Sequence, residues 1–153
     1  MTDILTKEQL AQKQKTYRAI IGIDPGVHTG VAVWIPAKKQ FFFVGTLQIH
    51  AAMSAVKFHN EDSRRSHLVI VEDARQATYG RKLDFHKAQG AGSVKRDCGI
   101  WDDCLKAHMI DYQMRRPRKA ITKLADDIFR RTTGWDAKVD SHARDAAMLV
   151  FGM

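Results

Sequence analysis

The chain has 153 residues, 44% of them hydrophobic and 27% charged, the make-up of one folded domain rather than a disordered tract. Lys and Arg number 25 against 17 Asp and Glu, a net charge of +8 that favours polyanionic partners, nucleic acid first among them. No apolar run nears the roughly 20 residues of a membrane span, Met1-Thr2-Asp3-Ile4-Leu5 lacks a signal-peptide layout, and Cys98 and Cys104 alone make neither a disulfide framework nor a zinc finger. The expectation is a cytoplasmic protein with reduced thiols, in a bacterial cell or a phage-infected host, without a membrane partner.

Residues 1–17 read as a polar N-terminal arm, and residues 18–153 as one domain. Ala19-Ile20-Ile21-Gly22-Ile23 predicts a buried strand closed by the turn residues Asp24-Pro25-Gly26. Val31-Ala32-Val33-Trp34-Ile35 predicts a second strand, Pro36-Ala37-Lys38-Lys39 a hairpin turn, and the run from Phe41 to Leu47 a third strand. Residues 50–62 have helical tendency, and His67-Leu68-Val69-Ile70-Val71 predicts a fourth strand running into Glu72-Asp73. A long helical stretch over 82–108, weakened by Gly90, Gly92 and Gly99, leads to a fifth strand at Met109-Ile110-Asp111-Tyr112. A helix is expected from Pro117 to about Arg131, on the spacing of Ile121, Leu124, Ile128 and Phe129. A last helix starts near Asp140 or Ser141 and carries Ala143, Ala146, Ala147 and Val150. The order β-β-β-α-β-α-β-α-α defines an α/β protein: a mixed five-stranded sheet with an antiparallel and a parallel half, flanked by helices.

Asp24 stands where the first strand runs out, and α/β sheets gather ligands at strand ends. Asp-Pro-Gly is equally ordinary turn chemistry, so Asp24 alone leaves both readings open. Glu72 follows an apolar strand and needs a partner or a metal, unless the strand has simply reached solvent. Strand residues alternate faces, so only one of Glu72 and Asp73 can face Asp24. Glu72, which abuts the apolar run, is the candidate, while Asp73 reads as exposed or as a turn partner. His142 and Asp145 share a helix face one turn apart. Asp140 lies off that face and reads as an N-cap with Ser141. His142 also fits an exposed polar residue near a helix start, whereas Asp145, set among Ala143, Ala146, Ala147 and Leu149, needs a strong partner.

Acidic groups from distant parts of the chain repel one another if they converge, and a hard divalent cation such as Mg²⁺ or Mn²⁺ relieves the conflict. In so basic a chain the cluster points to a metal site facing a phosphodiester. Two ions about 3.5–4 Å apart would activate water and stabilise the leaving oxygen.

Ile20-Ile21-Gly22-Ile23-Asp24-Pro25-Gly26 with Thr29-Gly30-Val31-Ala32, then Val69-Ile70-Val71-Glu72, then His142-Ala143-Arg144-Asp145-Ala146-Ala147 resembles the RuvC-type Holliday-junction resolvases of the ribonuclease H-like superfamily. The resemblance runs from about residue 18 to the last residue. It implies a ribonuclease H-like fold and a homodimer that cuts four-way DNA junctions in recombination and repair, leaving 5′-phosphate and 3′-hydroxyl ends. It also implies two Mg²⁺ per site, replaceable by Mn²⁺, held by Asp24, Glu72 and Asp145. The family's fourth position, often aspartate, is His142 here, as in some RuvC-like nuclease domains. Imidazole is softer and titrates near neutrality, so His142 serves either as a ligand favouring Mn²⁺ or as a group that orients or deprotonates the attacking water.

Arg115-Arg116-Pro117-Arg118-Lys119, with Lys123, opens the expected helix, where free N–H groups and the dipole favour phosphate. The resemblance places DNA-contacting residues there too. Tyr79, in the loop after Glu72, is a candidate for stacking on an unpaired base, although loop tyrosines also pack on neighbours. Phe85, Ile100, Trp101 and Leu105 fit either a dimer interface or the core. The alternatives to a resolvase are a ribonuclease H acting on RNA–DNA hybrids, a non-catalytic DNA-binding module and, ranked low, an actin-like nucleotide-binding domain. The compact, divergent chain suggests a phage source.

Overall fold

The computed structural model describes residues 17–61, 66–77, 85–117 and 124–153. Strands β1 (Ala19–Asp24), β2 (His28–Ile35) and β3 (Gln40–Gln48) form an antiparallel meander. The β2–β3 connection is a single 3-10 turn, Pro36–Lys38, closed by Lys39 in the left-handed region at φ 50°. Helix α1 (Ile49–Glu61) leads to β4 (His67–Glu72), which lies parallel beside β1. Helix α2 (Phe85–Ala107) returns to β5 (Tyr112–Arg115), parallel to β4, and α3 (Asp126–Thr133) and α4 (Ser141–Val150) complete the chain. The sheet order is β3-β2-β1-β4-β5, so the expected mixed α/β sheet is the one observed.

The two-residue period of the strands sorts the core into two layers. Ile20, Ala32, Trp34, Leu68 and Ile70 pack with Phe129 of α3 and Ala143, Ala146, Ala147 and Val150 of α4. Ile21, Ile23, Val31, Val33, Val69 and Val71 pack on the other face with Ala52 and Val56 of α1 and Trp101 and Leu105 of α2. Central strands covered on both faces are apolar at every position, which is why β1 and β4 read as continuous runs. Trp101 and Leu105 thus belong to the core, whereas Ile100 is exposed.

Helix α4 sits unusually low on this sheet. A Cβ at Gly22 would lie 2.1 Å from the Ala146 carbonyl oxygen, and one at Gly30 would lie 1.9 Å from the His142 carbonyl oxygen. Glycines beneath and alanines above let the helix backbone rest directly on β1 and β2.

Two expectations are corrected. The fifth strand is Tyr112–Arg115 rather than 109–112. Met109 takes φ 54° and is 89% exposed, because it ends α2 as a left-handed cap, its N–H donating to the Lys106 carbonyl. The following helix begins at Asp126, capped by extended Ala125, rather than at Pro117. Pro117 and Leu124 are not helical and Ile128 is exposed, while Ile121 lies outside the described residues. Among the described residues no helix is long and apolar enough to cross a membrane.

Candidate active site

Alternation along β1 puts Asp24 on the same face as Ile20 and Gly22, the face that α4 covers. Along β4 it puts Glu72 on that face with Leu68 and Ile70. Ile23 pairs with Val71 in the parallel β1–β4 register, so the next residues, Asp24 and Glu72, end neighbouring strands side by side. Helix α4 starts above this end. Asp140 caps it, accepting the Ala143 N–H at 3.0 Å, and also accepts the Thr46 hydroxyl of β3 at 2.5 Å. The cap therefore fixes the helix start to the sheet, and Asp140 is held in that role.

One turn of α4 carries both remaining groups. The Nδ1 of His142 donates to the Asp24 carboxylate at 3.0 Å. In a neutral ring this leaves Nε2 as the acceptor. Asp24, His142, Arg144 and Asp145 line a cleft of about 810 Å³ together with Val94 of α2 and the Leu124-Ala125 segment.

The electrostatics show strain among the acids. Burial pushes the Glu72 carboxyl up to about 7, and the charges of Asp24 and Asp145 add to the rise. Burial also raises Asp24 above the ordinary carboxylate range, against the hydrogen bond and charge of His142. Asp24, Glu72, Asp145 and His142 are thus brought together, from two strand ends and a helix, within electrostatic reach of one another. Their donor set, three carboxylates and an imidazole, fits a hard or borderline divalent cation. Among the described residues no three His, Cys, Asp or Glu side chains are grouped so that they could hold a metal ion as they stand.

Asp73 points to the opposite side and is buried rather than exposed. It caps the 3-10 turn Ala74–Gln76, pairs with Arg75 at 2.7 Å and accepts from Gln76 at 3.2 Å. Burial opposes its ionisation, but these hydrogen bonds outweigh that and hold its carboxyl below the usual range. Arg75 continues to Asp102 of α2, which also accepts the Tyr112 hydroxyl. The network therefore ties the loop after Glu72 to α2 and β5.

The basic segment is rearranged relative to expectation. Arg115 lies on β5 instead of opening a helix, donating to Gln113, to the Leu149 carbonyl and to the Met153 sulfur. It anchors the C-terminal end of the chain. Arg116 is exposed just beyond β5. Tyr79, Arg118, Lys119 and Lys123 lie outside the described residues, as do residues 1–16 of the arm.

Two contributors escaped the sequence reading. The close seat of α4 was signalled by Gly22 and Gly30 interrupting apolar strands. Arg144 is the other, and its signal is a long cation set between the candidate ligands His142 and Asp145.

No family model matches this sequence, and no curated protein matches it. Among solved structures the chain is similar to T. thermophilus RuvC in complex with Holliday junction substrate, with a TM-score of 0.54 and 18% sequence identity. The match covers 84% of this chain and 87% of that chain. At that identity the likeness is one of fold: a mixed five-stranded sheet flanked by four helices, the ribonuclease H-like architecture.

Proposed function

We propose that this protein is a divalent-metal-dependent endonuclease that resolves branched DNA, chiefly four-way junctions, by phosphodiester hydrolysis to 5′-phosphate and 3′-hydroxyl ends. The observation that carries this reading is a cleft lined by Asp24, His142 and Asp145, with Glu72 near enough to feel the charges of both aspartates, in a chain with net charge +8. The fold shared with a RuvC bound to a junction supports the substrate class.

Asp24, Glu72 and Asp145 would hold one or two Mg²⁺ or Mn²⁺ ions. When bound, such ions neutralise charge and supply an activated nucleophile for in-line displacement. Asp24 keeps one carboxylate oxygen on His142 and lines the cleft. His142, fixed by that bond, presents Nε2 to accept a proton from water or to coordinate. Burial and the charges of Asp24 and Asp145 push the Glu72 carboxyl up to about 7, a repulsion that a bound divalent cation would relieve. Arg116, Arg118, Lys119 and Lys123 are proposed phosphate contacts, and Tyr79 a stacking residue. A homodimer would place two such clefts on opposed strands for symmetric cutting.

The test is cleavage of an immobile four-way junction, a linear duplex and an RNA–DNA hybrid across a Mg²⁺ and Mn²⁺ series. Paired symmetric nicks in the junction support the reading. Preference for the hybrid would make the protein a ribonuclease H, and metal-independent binding without cleavage would make it a DNA-binding module.

A further inference from the structure

We infer that Arg144 is a phosphate-binding and positioning residue of the cleft, gripping the substrate backbone beside the acidic cluster. The inference rests on the nuclease reading and adds a contact to it. Its starting point is a physical conflict: a phosphodiester entering a cleft lined by Asp24 and Asp145 meets like charge. Among the described residues that line this cleft, Arg144 is the one permanent cation.

The guanidinium is held in place by the protein. Its Nε donates to the Leu124 carbonyl at 2.9 Å and its Nη1 to the Val139 carbonyl at 2.5 Å. Nη1 also lies 3.7 Å from the Asp126 carboxylate. These contacts tie the segment before α3, whose Leu124 and Ala125 line the cleft, to the segment before α4. They use Nε and Nη1 only. Nη2, with two further N–H donors, takes no protein partner among the described residues, while the side chain keeps 17% of its surface exposed. A planar fork anchored on one side and open on the other suits the tetrahedral, anionic oxygens of a phosphodiester. The entropy of ordering this long side chain is already spent in the free protein.

The test measures binding, so it is independent of turnover. A fluorescein-labelled immobile four-way junction is titrated with full-length wild type, Arg144→Gln and Arg144→Lys in EDTA, over a range of salt concentrations. One lost phosphate contact lowers the slope of log affinity against log salt by about 0.9. Arg144→Gln is expected to show that drop, with affinity about tenfold weaker at moderate salt. Arg144→Lys, which retains the charge, keeps the wild-type slope. Both variants lose the paired backbone bonds, so a merely structural role would shift their melting temperatures alike and leave both slopes at the wild-type value. That result overturns the inference. Should Arg144→Gln fail to fold, the arginine side-chain ¹⁵N signals of the wild type decide: a shift of the Arg144 Nη2 resonance on adding the junction supports the contact, and its absence overturns it. Failure of the wild type to bind any junction or duplex overturns the nuclease reading, and this inference with it.

Discussion

Glu72 and Asp73 are consecutive acids at the end of one strand, and they meet opposite fates. Asp73 turns toward α2, where Arg75 and Gln76 satisfy its carboxylate and hold it ionised. Glu72 turns toward α4, where burial and the charges of Asp24 and Asp145 push its carboxyl up to about 7. A few ångströms of chain separate a carboxylate that stabilises the fold from one that is held against its own preference. An acid that the fold neutralises is serving the fold, whereas an acid left under strain beside two others is a candidate functional group, here the proposed cation site.

The contrast yields ordered expectations. The largest concerns the strained side. Asp24→Asn lowers Mg²⁺-dependent junction cleavage by more than about 100-fold, since even outer partners of metal ligands are worth 10–100-fold, while junction binding in EDTA persists. Gel assays of nicked product measure the first and fluorescence anisotropy the second. Retained cleavage would remove Asp24 from the site.

Next comes the seat of α4. In Gly30→Ala the added Cβ meets the His142 carbonyl 1.9 Å away, so the helix start must lift or the strand must bend. The expected cost is about 1–3 kcal/mol in urea unfolding, of the size seen for overpacked cores, together with loss of the Asp24–His142 hydrogen bond by NMR. A variant as stable as the wild type with that bond intact would show the contact to be slack.

The direct comparison follows. Asp73→Asn removes a charge-assisted pairing and should destabilise the protein by about 1.5–3 kcal/mol. Glu72→Gln relieves repulsion and should leave the metal-free protein as stable as before, or more so. Equal losses from both substitutions would erase the distinction between the two acids.

The smallest effect is in pH. Glu72 is raised in the fold, so the stability it contributes is complete below its ordinary value of 4.5 and is lost as pH climbs through about 7. Asp73 has the opposite sign: its contribution is present above its ordinary 3.8 and is lost as pH falls below that value. Metal-free wild type should therefore weaken between pH 5 and 7.5, by no more than about 1.4 kcal/mol per pH unit. Glu72→Gln should lack that decline in denaturation curves recorded across the same range.

Much of this arrangement was legible in the sequence because it follows the period of two. Once the apolar runs ending at Ile23 and Val71 are read as neighbouring strands, alternation alone assigns Glu72 and Asp73 to opposite faces. The helical spacing of His142 and Asp145 was equally visible. What escaped depended on partners far away in sequence. Nothing near Asp73 in the chain announces that Asp102 and Tyr112 will complete its network. Met109 looked like a strand residue because apolar character says nothing of a left-handed cap. Arg115 sits among basic neighbours in the sequence, and only its contacts with Gln113, Leu149 and Met153 show that it serves as an anchor. Fold class came from local patterns, whereas the charge state of each acid came from tertiary neighbours.

The glycine seats of α4 have a wider consequence. Where main chain rests on main chain there is no side-chain cushion to absorb slack, so the pitch of that helix passes straight to the spacing of the groups on its first turn. Mechanical tolerance at the site is therefore set by two missing methyl groups as much as by any acid. A search for distant proteins with this geometry should weigh those bare positions alongside the carboxylates, and a designer could detune the site by a single carbon atom without altering its charge.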